Sequence, residues 1–201
     1  MIVILDYGIG NLGSVRNMFR RVGFTAEVSS DPAILASATK IILPGVGAFD
    51  RAMNCLSQSG LRDILDERVM QDRVPILGIC LGMQLLCSGS EEGKLPGLGY
   101  IRASAKKLKP STQVKVPHMG WNLVRRSSDS ELTRMLPDEA RFYFVHSYAV
   151  HVEDERNSLL KCHYGEEFDA GVVDDNIFGV QFHPEKSHKF GRNLFKAFGE
   201  L

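Results

Sequence analysis

In the first half of the chain, apolar residues gather in short unbroken runs: IVIL (Ile2 to Leu5), KIILP (Lys40 to Pro44) and VPILGIC (Val74 to Cys80). Runs of this length without polar alternation fit strands buried on both faces, as in a parallel sheet. Between them, Ser14 to Val22 and Phe49 to Asp72 carry apolar residues at helical spacing, the second stretch interrupted near Ser59 and Gly60. Strands separated by helices predict an α/β fold with a mainly parallel central sheet covered by helices. The rhythm changes from about Tyr100. Tyr100 to Asn122, Ala140 to Val150, Ser158 to Tyr164, GVVDD (171–175) and NIFGVQF (176–182) follow one another more closely, joined by turns. They predict a mixed or antiparallel extension in the C-terminal half, closed by a helix from Ser187 to Phe198. With no repeat, low-complexity tract or evident linker, residues 1–201 are expected to form one domain.

The first turn raises a question of chemistry. GIGNLG places Gly8, Gly10 and Gly13 in the pattern G-x-G-x-x-G between a predicted strand and a predicted helix, with Glu27 or Asp31 about 20 residues from the start. One reading is a dinucleotide site and an oxidoreductase. The other is a sharp strand-to-helix turn, which any parallel α/β unit needs and glycine makes easy.

Composition narrows the classes. The 24 Lys and Arg balance 24 Asp and Glu in 201 residues, which removes the electrostatic reason to expect nucleic acid or an anionic membrane as main partner. No segment reaches membrane-spanning length, and no basic stretch leads into a signal-type apolar core, so a cytoplasmic protein is expected. Cys55, Cys80, Cys87 and Cys162 form no C-x-x-C pair and suggest no disulfide framework. No grouping of His, Cys, Asp or Glu has metal-ligand spacing; neither metal nor cofactor is expected.

Gly78, Ile79, Cys80, Leu81 and Gly82 form G-x-S-x-G with cysteine in place of serine, after a strand and before a helix. That is the arrangement of a nucleophile elbow, in which a sharp turn exposes the nucleophile. Cys80 would sit at a helix N-terminus, where free backbone N–H groups favour a thiolate, and the Leu81 N–H would face an oxyanion. The alternative is a buried structural cysteine between two incidental glycines. Among the six histidines, His183 stands out in GVQFHPEKS. Pro184 biases it toward extended backbone, so that Glu185, two residues on, points to the same side and can orient the imidazole. Alone, the same stretch also reads as a surface His-Pro turn. PGVG, after the KIIL strand, can aim backbone N–H groups into a pocket, or merely end a strand.

PGVGAF, GICLGMQLL and GVQFHPEKS, in that order over most of the chain, resemble the class I (triad) glutamine amidotransferases. DYGIGNLGS, PHMGWN (Pro117 to Asn122) and YFVHSY (Tyr143 to Tyr148) narrow the likeness to that family's histidine-biosynthesis branch, the glutaminase subunits of imidazole glycerol phosphate synthase. The resemblance implies the family's flavodoxin-like fold, and hydrolysis of L-glutamine to glutamate and ammonia by Cys80, His183 and Glu185, with Val46 and Leu81 as oxyanion donors. It implies glutamine contacts at Gly47, Gln84, Glu92, Ser147 and Tyr148. Its partner is a (β/α)₈-barrel cyclase that receives the ammonia, met at Trp121, Asn122, Tyr143 and Lys186; it further implies that the oxyanion strand at Gly45 to Gly47 is completed only with partner and nucleotide. On this reading GIGNLG is a turn of the fold and binds no dinucleotide. The rivals are a glutaminase of another synthase, a cysteine peptidase or deglycase-like enzyme on a related fold, and a catalytically silent binding subunit.

Overall fold

The computed structural model describes residues 1–201. The N-terminal half alternates strands and helices: β1 (Ile2–Leu5), α1 (Leu12–Arg21), β2 (Ala26–Ser29), α2 (Pro32–Ala36), β3 (Lys40–Gly45), α3 (Phe49–Gln58), α4 (Arg62–Asp66), β4 (Ile76–Cys80) and α5 (Leu81–Leu86). The C-terminal half is strand-rich: β5 (Gly89–Ser90), β6 (Ala103–Lys107), β7 (His118–Arg126), β8 (Ala140–His146), β9 (Tyr148–Val152), β10 (Ser158–Tyr164), β11 (Glu166–Asp174) and β12 (Ile177–Val180), followed by α6 (His188–Glu200). The main sheet runs β2-β1-β3-β4-β12-β11-β10-β7-β8. β2, β1, β3, β4 and β12 are parallel, and from β11 outward pairing is antiparallel. This is the α/β architecture with an antiparallel extension expected from the strand spacing.

The unbroken apolar runs have a simple cause. Alternate residues of β1, β3 and β4 enter two cores on opposite faces of the sheet: Val3, Leu5, Ile41 and Ile76 on one side, Ile2, Ile4, Ile42 and Leu77 on the other. Ala52, Met53 and Leu56 of α3, with Leu85 and Leu86 of α5, cover the first face. Val15, Met18 and Phe19 of α1, with Leu194, Phe195 and Phe198 of α6, cover the second.

Two boundaries differ from expectation. The stretch 100–122 is not one strand: β6 ends at Lys107 and β7 begins at His118. Ala140 to Val150 breaks at Ser147 into β8, which pairs with β7, and β9, which pairs with β6 and β11. Hydrophobic pattern alone misses this break, because both strands are apolar up to it. The helical stretch 49–72 breaks where expected: α3 ends at Gln58, before Ser59 and Gly60, the chain restarts as α4, and it finishes in a π-helical turn, Glu67–Gln71.

The glycine run of the first turn shows its own logic. A Cβ at Gly13 would meet nothing within 4 Å, so the third glycine supplies no close helix-to-strand approach of the kind a dinucleotide fold needs. Gly10 (φ +121°) instead lies against the Pro44 ring, 3.0 Å from where its Cβ would stand, and the Tyr7 hydroxyl donates to the Pro44 carbonyl at 2.6 Å. The turn grips the end of β3.

Candidate active site

β4 delivers Cys80 to the top of the sheet, where φ +56° and ψ −110° place a non-glycine residue in a rarely occupied region as the chain swings into α5. The neighbouring glycines make that turn possible. A Cβ on Gly82 would stand 1.9 Å from the Leu43 carbonyl oxygen, and one on Gly45 2.5 Å from the Gly82 nitrogen. A Cβ on Gly78 would lie 2.7 Å from the Gly82 carbonyl oxygen. Only bare backbone lets the start of α5 settle onto β3 and β4, leaving the Cys80 side chain pointing into a pocket of about 300 Å³.

His183 arrives from the other side, after β12. Its backbone N–H donates to the Tyr143 carbonyl at 2.9 Å, and its Nδ1 lies 2.8 Å from Glu185 Oε1. The two side chains are 3 % and 2 % exposed, so the pair is shielded from bulk water. Burial by itself would lower the histidine's affinity for a proton. Cys80 and then Glu185 outweigh that and push His183 up to about 10, which favours the protonated ring. A carboxylate behind an imidazole that faces a thiol is the arrangement of a catalytic triad.

The pocket brings together Val46, Gly47, Cys80, Leu81, Gln84, Glu92, Ser147, Tyr148 and His183, with Glu185 directly behind His183. Segments more than 100 residues apart in the chain thus meet in one cavity. Gly47 adopts φ +95° just beyond β3, in the bend expected to carry oxyanion donors. Glu92 Oε2 accepts from the Phe49 backbone N–H at 2.9 Å, which ties the loop after β5 to the first turn of α3. The Gln84 amide NH₂ donates to the Tyr148 carbonyl at 3.0 Å and to Gln181 Oε1 at 3.1 Å.

Sequence reasoning missed Gln181, His146 and Pro117. Gln181 is fully buried and its Nε2 approaches Cys80 Sγ at 3.9 Å; His146 and Pro117 line the pocket. A buried glutamine two residues before the candidate base was the available signal for Gln181, since an uncharged amide rarely sits in a core without a specific partner.

The residues expected at a partner surface divide. Trp121 is 47 % exposed, stacks on His188 (ring centroids 5.3 Å apart) and meets Tyr143 edge-on; Lys186 Nζ lies 5.6 Å above the Tyr143 ring. Asn122, next along β7, turns to the opposite face and donates to the His163 carbonyl.

The Glutamine amidotransferase class-I family model matches residues 3–199. An imidazole glycerol phosphate synthase subunit HisH 2 of Methanococcus maripaludis is 54% identical over 198 residues, 98% of each chain. Another of the same description, from Pseudomonas aeruginosa, is 51% identical over the full length of both. Among solved structures, a glutamine amidotransferase superposes with a TM-score of 0.78 at 18% identity, covering 99% of this chain and 97% of that one. PurLQS from Thermotoga maritima gives 0.76 at 19%, with the same coverage. At such identities these two speak for the fold.

Proposed function

The chain belongs to the class-I glutamine amidotransferase family, and from that premise we propose that it is the glutaminase subunit of an imidazole glycerol phosphate synthase, hydrolysing glutamine and passing ammonia to a cyclase in histidine biosynthesis. Full-length identity of about half with two HisH subunits supports the choice within the family. The observation that carries the chemistry is the strained Cys80 on its elbow facing a buried His183–Glu185 pair.

The Cys80 sulfur attacks the carbon of the glutamine side-chain carboxamide, and the carbonyl π electrons move onto oxygen. The backbone N–H groups of Leu81 and Val46 receive that oxyanion. His183 gives its proton to the departing nitrogen, so the C–N bond breaks with release of ammonia and leaves a thioester on Cys80. The neutral imidazole then removes a proton from water as the oxygen attacks the thioester carbon. Collapse expels the thiolate, frees glutamate and restores the imidazolium. Gly47, Gln84, Glu92, Ser147 and Tyr148 hold the substrate.

Ammonia that reaches water becomes ammonium and loses its lone pair, so such a site is useful only when docked on an acceptor. Two observations support a docking face. Met119, Trp121 and Leu123 occupy alternate, same-side positions of β7, and all three are exposed. Trp121, Tyr143 and Lys186 cluster beside them, on the flank that also carries Glu185. We assign this face to the (β/α)₈-barrel cyclase. No helix is long and apolar enough to cross a membrane, which fits the cytoplasmic setting we propose. The continuous sheet supports treating 1–201 as one unit.

Glutamate release should be measured with the cyclase and its nucleotide ligand, for wild type and Cys80→Ala. Partner-dependent activity lost in the variant is expected. Activity surviving the substitution would sink the thiol mechanism, and no activity in a verified, ligand-loaded wild-type complex would favour a silent subunit. Equal rates with and without the loaded partner would refute completion of the oxyanion strand on docking.

A further inference from the structure

β7 and β8 place two histidines opposite each other, His118 facing His146, on the side of the pair away from the exposed Met119 and Trp121. Both are buried. Neither belongs to the triad, yet His146 reaches the pocket wall. Their hydrogen bonds leave no freedom of assignment. At one end, His146 Nδ1 lies 2.8 Å from the Tyr148 carbonyl, which can only accept, so this nitrogen carries the hydrogen and Nε2 is the acceptor. His118 Nδ1, 3.0 Å from that Nε2, must therefore be the donor, which leaves its own Nε2 to accept. The other end gives the same answer independently. The Leu123 N–H donates to Asn122 Oδ1 at 2.8 Å, which fixes the amide so that Nδ2 points to the His163 carbonyl and, at 3.4 Å, to His118 Nε2.

The chain continues past Tyr148. Its carbonyl also accepts from Gln84 Nε2, which donates in turn to Gln181 Oε1, while Gln181 Nε2 approaches Cys80 Sγ. Every member is either an amide or an imidazole that burial keeps neutral; burial pushes His118 down to about 4 and His146 to about 3.

We infer that His118 and His146 are positioning residues, a pair of neutral Nδ1–H imidazoles that fixes the Tyr148 carbonyl in the wall of the glutamine pocket and ties it to Asn122 on β7. The inference rests on the glutaminase reading for its substrate, while the wiring itself rests on the hydrogen bonds. Tyr148 opens β9 directly after the break at Ser147, opposite Lys107 of β6, and its carbonyl is engaged by side chains, His146 and Gln84. With donors from His146 and Gln84, both its lone pairs are occupied and the carbonyl is set. The carbonyl so fixed holds Gln84, and through it Gln181, in register with the nucleophile.

Packing offers a rival account, because His118 also stacks between Phe144 and Tyr164 at 4.7 and 3.9 Å. Two substitutions separate the accounts. His118→Phe keeps an aromatic ring between those neighbours but cannot donate to His146. His118→Asn puts an amide nitrogen close to the Nδ1 position and forfeits the stacking. In the cyclase complex with its nucleotide ligand, His118→Phe should raise KM for glutamine on the order of fivefold with a smaller change in kcat, the size of one lost buried hydrogen bond. His118→Asn should restore KM toward wild type while lowering the thermal midpoint. If KM follows the stacking instead, rising in His118→Asn and holding in His118→Phe, or if neither variant moves it, the positioning role is wrong. Nitrogen-15 spectra of histidine-labelled wild type add a test that needs no variant. Both rings should be neutral Nδ1–H tautomers at pH 7, and an Nε2–H or doubly protonated form of either would overturn the chain. Glutamine hydrolysis by the wild-type complex checks the glutaminase reading separately.

Discussion

Replacing Glu185 by glutamine is the sharpest test of the electrostatics of the triad. The shape and an acceptor oxygen remain, while the negative charge behind His183 disappears. Moving a histidine from its ordinary 6.5 up to about 10 is a bias of roughly 5 kcal/mol toward the protonated ring, at about 1.4 kcal/mol per tenfold. Burial opposes that bias, and Cys80 and then Glu185 supply it. If Glu185 provides roughly 2 kcal/mol, its loss lowers kcat/KM about thirtyfold and moves the alkaline limb of the pH profile more than one pH unit toward neutrality. Stability carries the same signature. A histidine raised in the folded state stabilises it fully below pH 6.5, and that contribution disappears as pH rises through about 10. The stability gap between wild type and Glu185→Gln should therefore be widest near pH 6 and close above pH 10. Denaturant midpoints across that range, with glutaminase profiles of the cyclase complex, decide the matter. A gap that is constant or widens with pH, or an alkaline limb that stays in place, would refute an imidazolium held by Glu185.

Gly82→Ala drives a methyl group against the Leu43 carbonyl and should cost roughly 3 kcal/mol together with most of the reactivity of Cys80 toward a glutamine-like electrophile. Gly13→Ala, in open space within α1, should be neutral or stabilise by about 0.5 kcal/mol, and a marked loss there would revive a packing role for the third glycine of GIGNLG. Tyr7→Phe leaves the Pro44 carbonyl without its donor and should cost about 1 to 3 kcal/mol, measured by thermal unfolding. Trp121→Ala should weaken docking of the cyclase by roughly 2 kcal/mol in a titration, and unchanged affinity would remove Trp121 from the interface.

How much of this was legible in the sequence depends on the range of the forces involved. The parallel half was readable because each strand is buried on both faces, and that requirement writes itself into consecutive residues such as Ile2 to Leu5. The elbow was readable because its steric demand falls on Gly78 and Gly82, immediately beside Cys80. The break at Ser147 was not, since β8 and β9 differ in their partners and not in their residues, and partners are a property of the folded chain. Gln181 and the histidine pair escaped for a related reason. Each is defined by a hydrogen bond to a residue distant in sequence, and a lone polar residue in an apolar run shows only that it needs a partner, not which one.

The glycine turn at the N-terminus joins these two kinds of information. Its pattern correctly marked a tight passage from strand to helix, but the residue it serves lies more than 30 positions away. Gly10 abuts the Pro44 ring and Tyr7 holds the Pro44 carbonyl, immediately before Gly45, Val46 and Gly47. If Val46 supplies an oxyanion donor, its peptide must be free to adjust while the strand beneath it stays fixed. Gly47, at φ +95°, gives that freedom on the far side of Val46, while Gly45, paired with Cys80 and packed on α5, and the grip of the first turn on Pro44 anchor the strand. Of the glycines that imitate a nucleotide-binding fingerprint, Gly10 thus joins Tyr7 in holding Pro44, one residue before the segment proposed to carry the oxyanion donor.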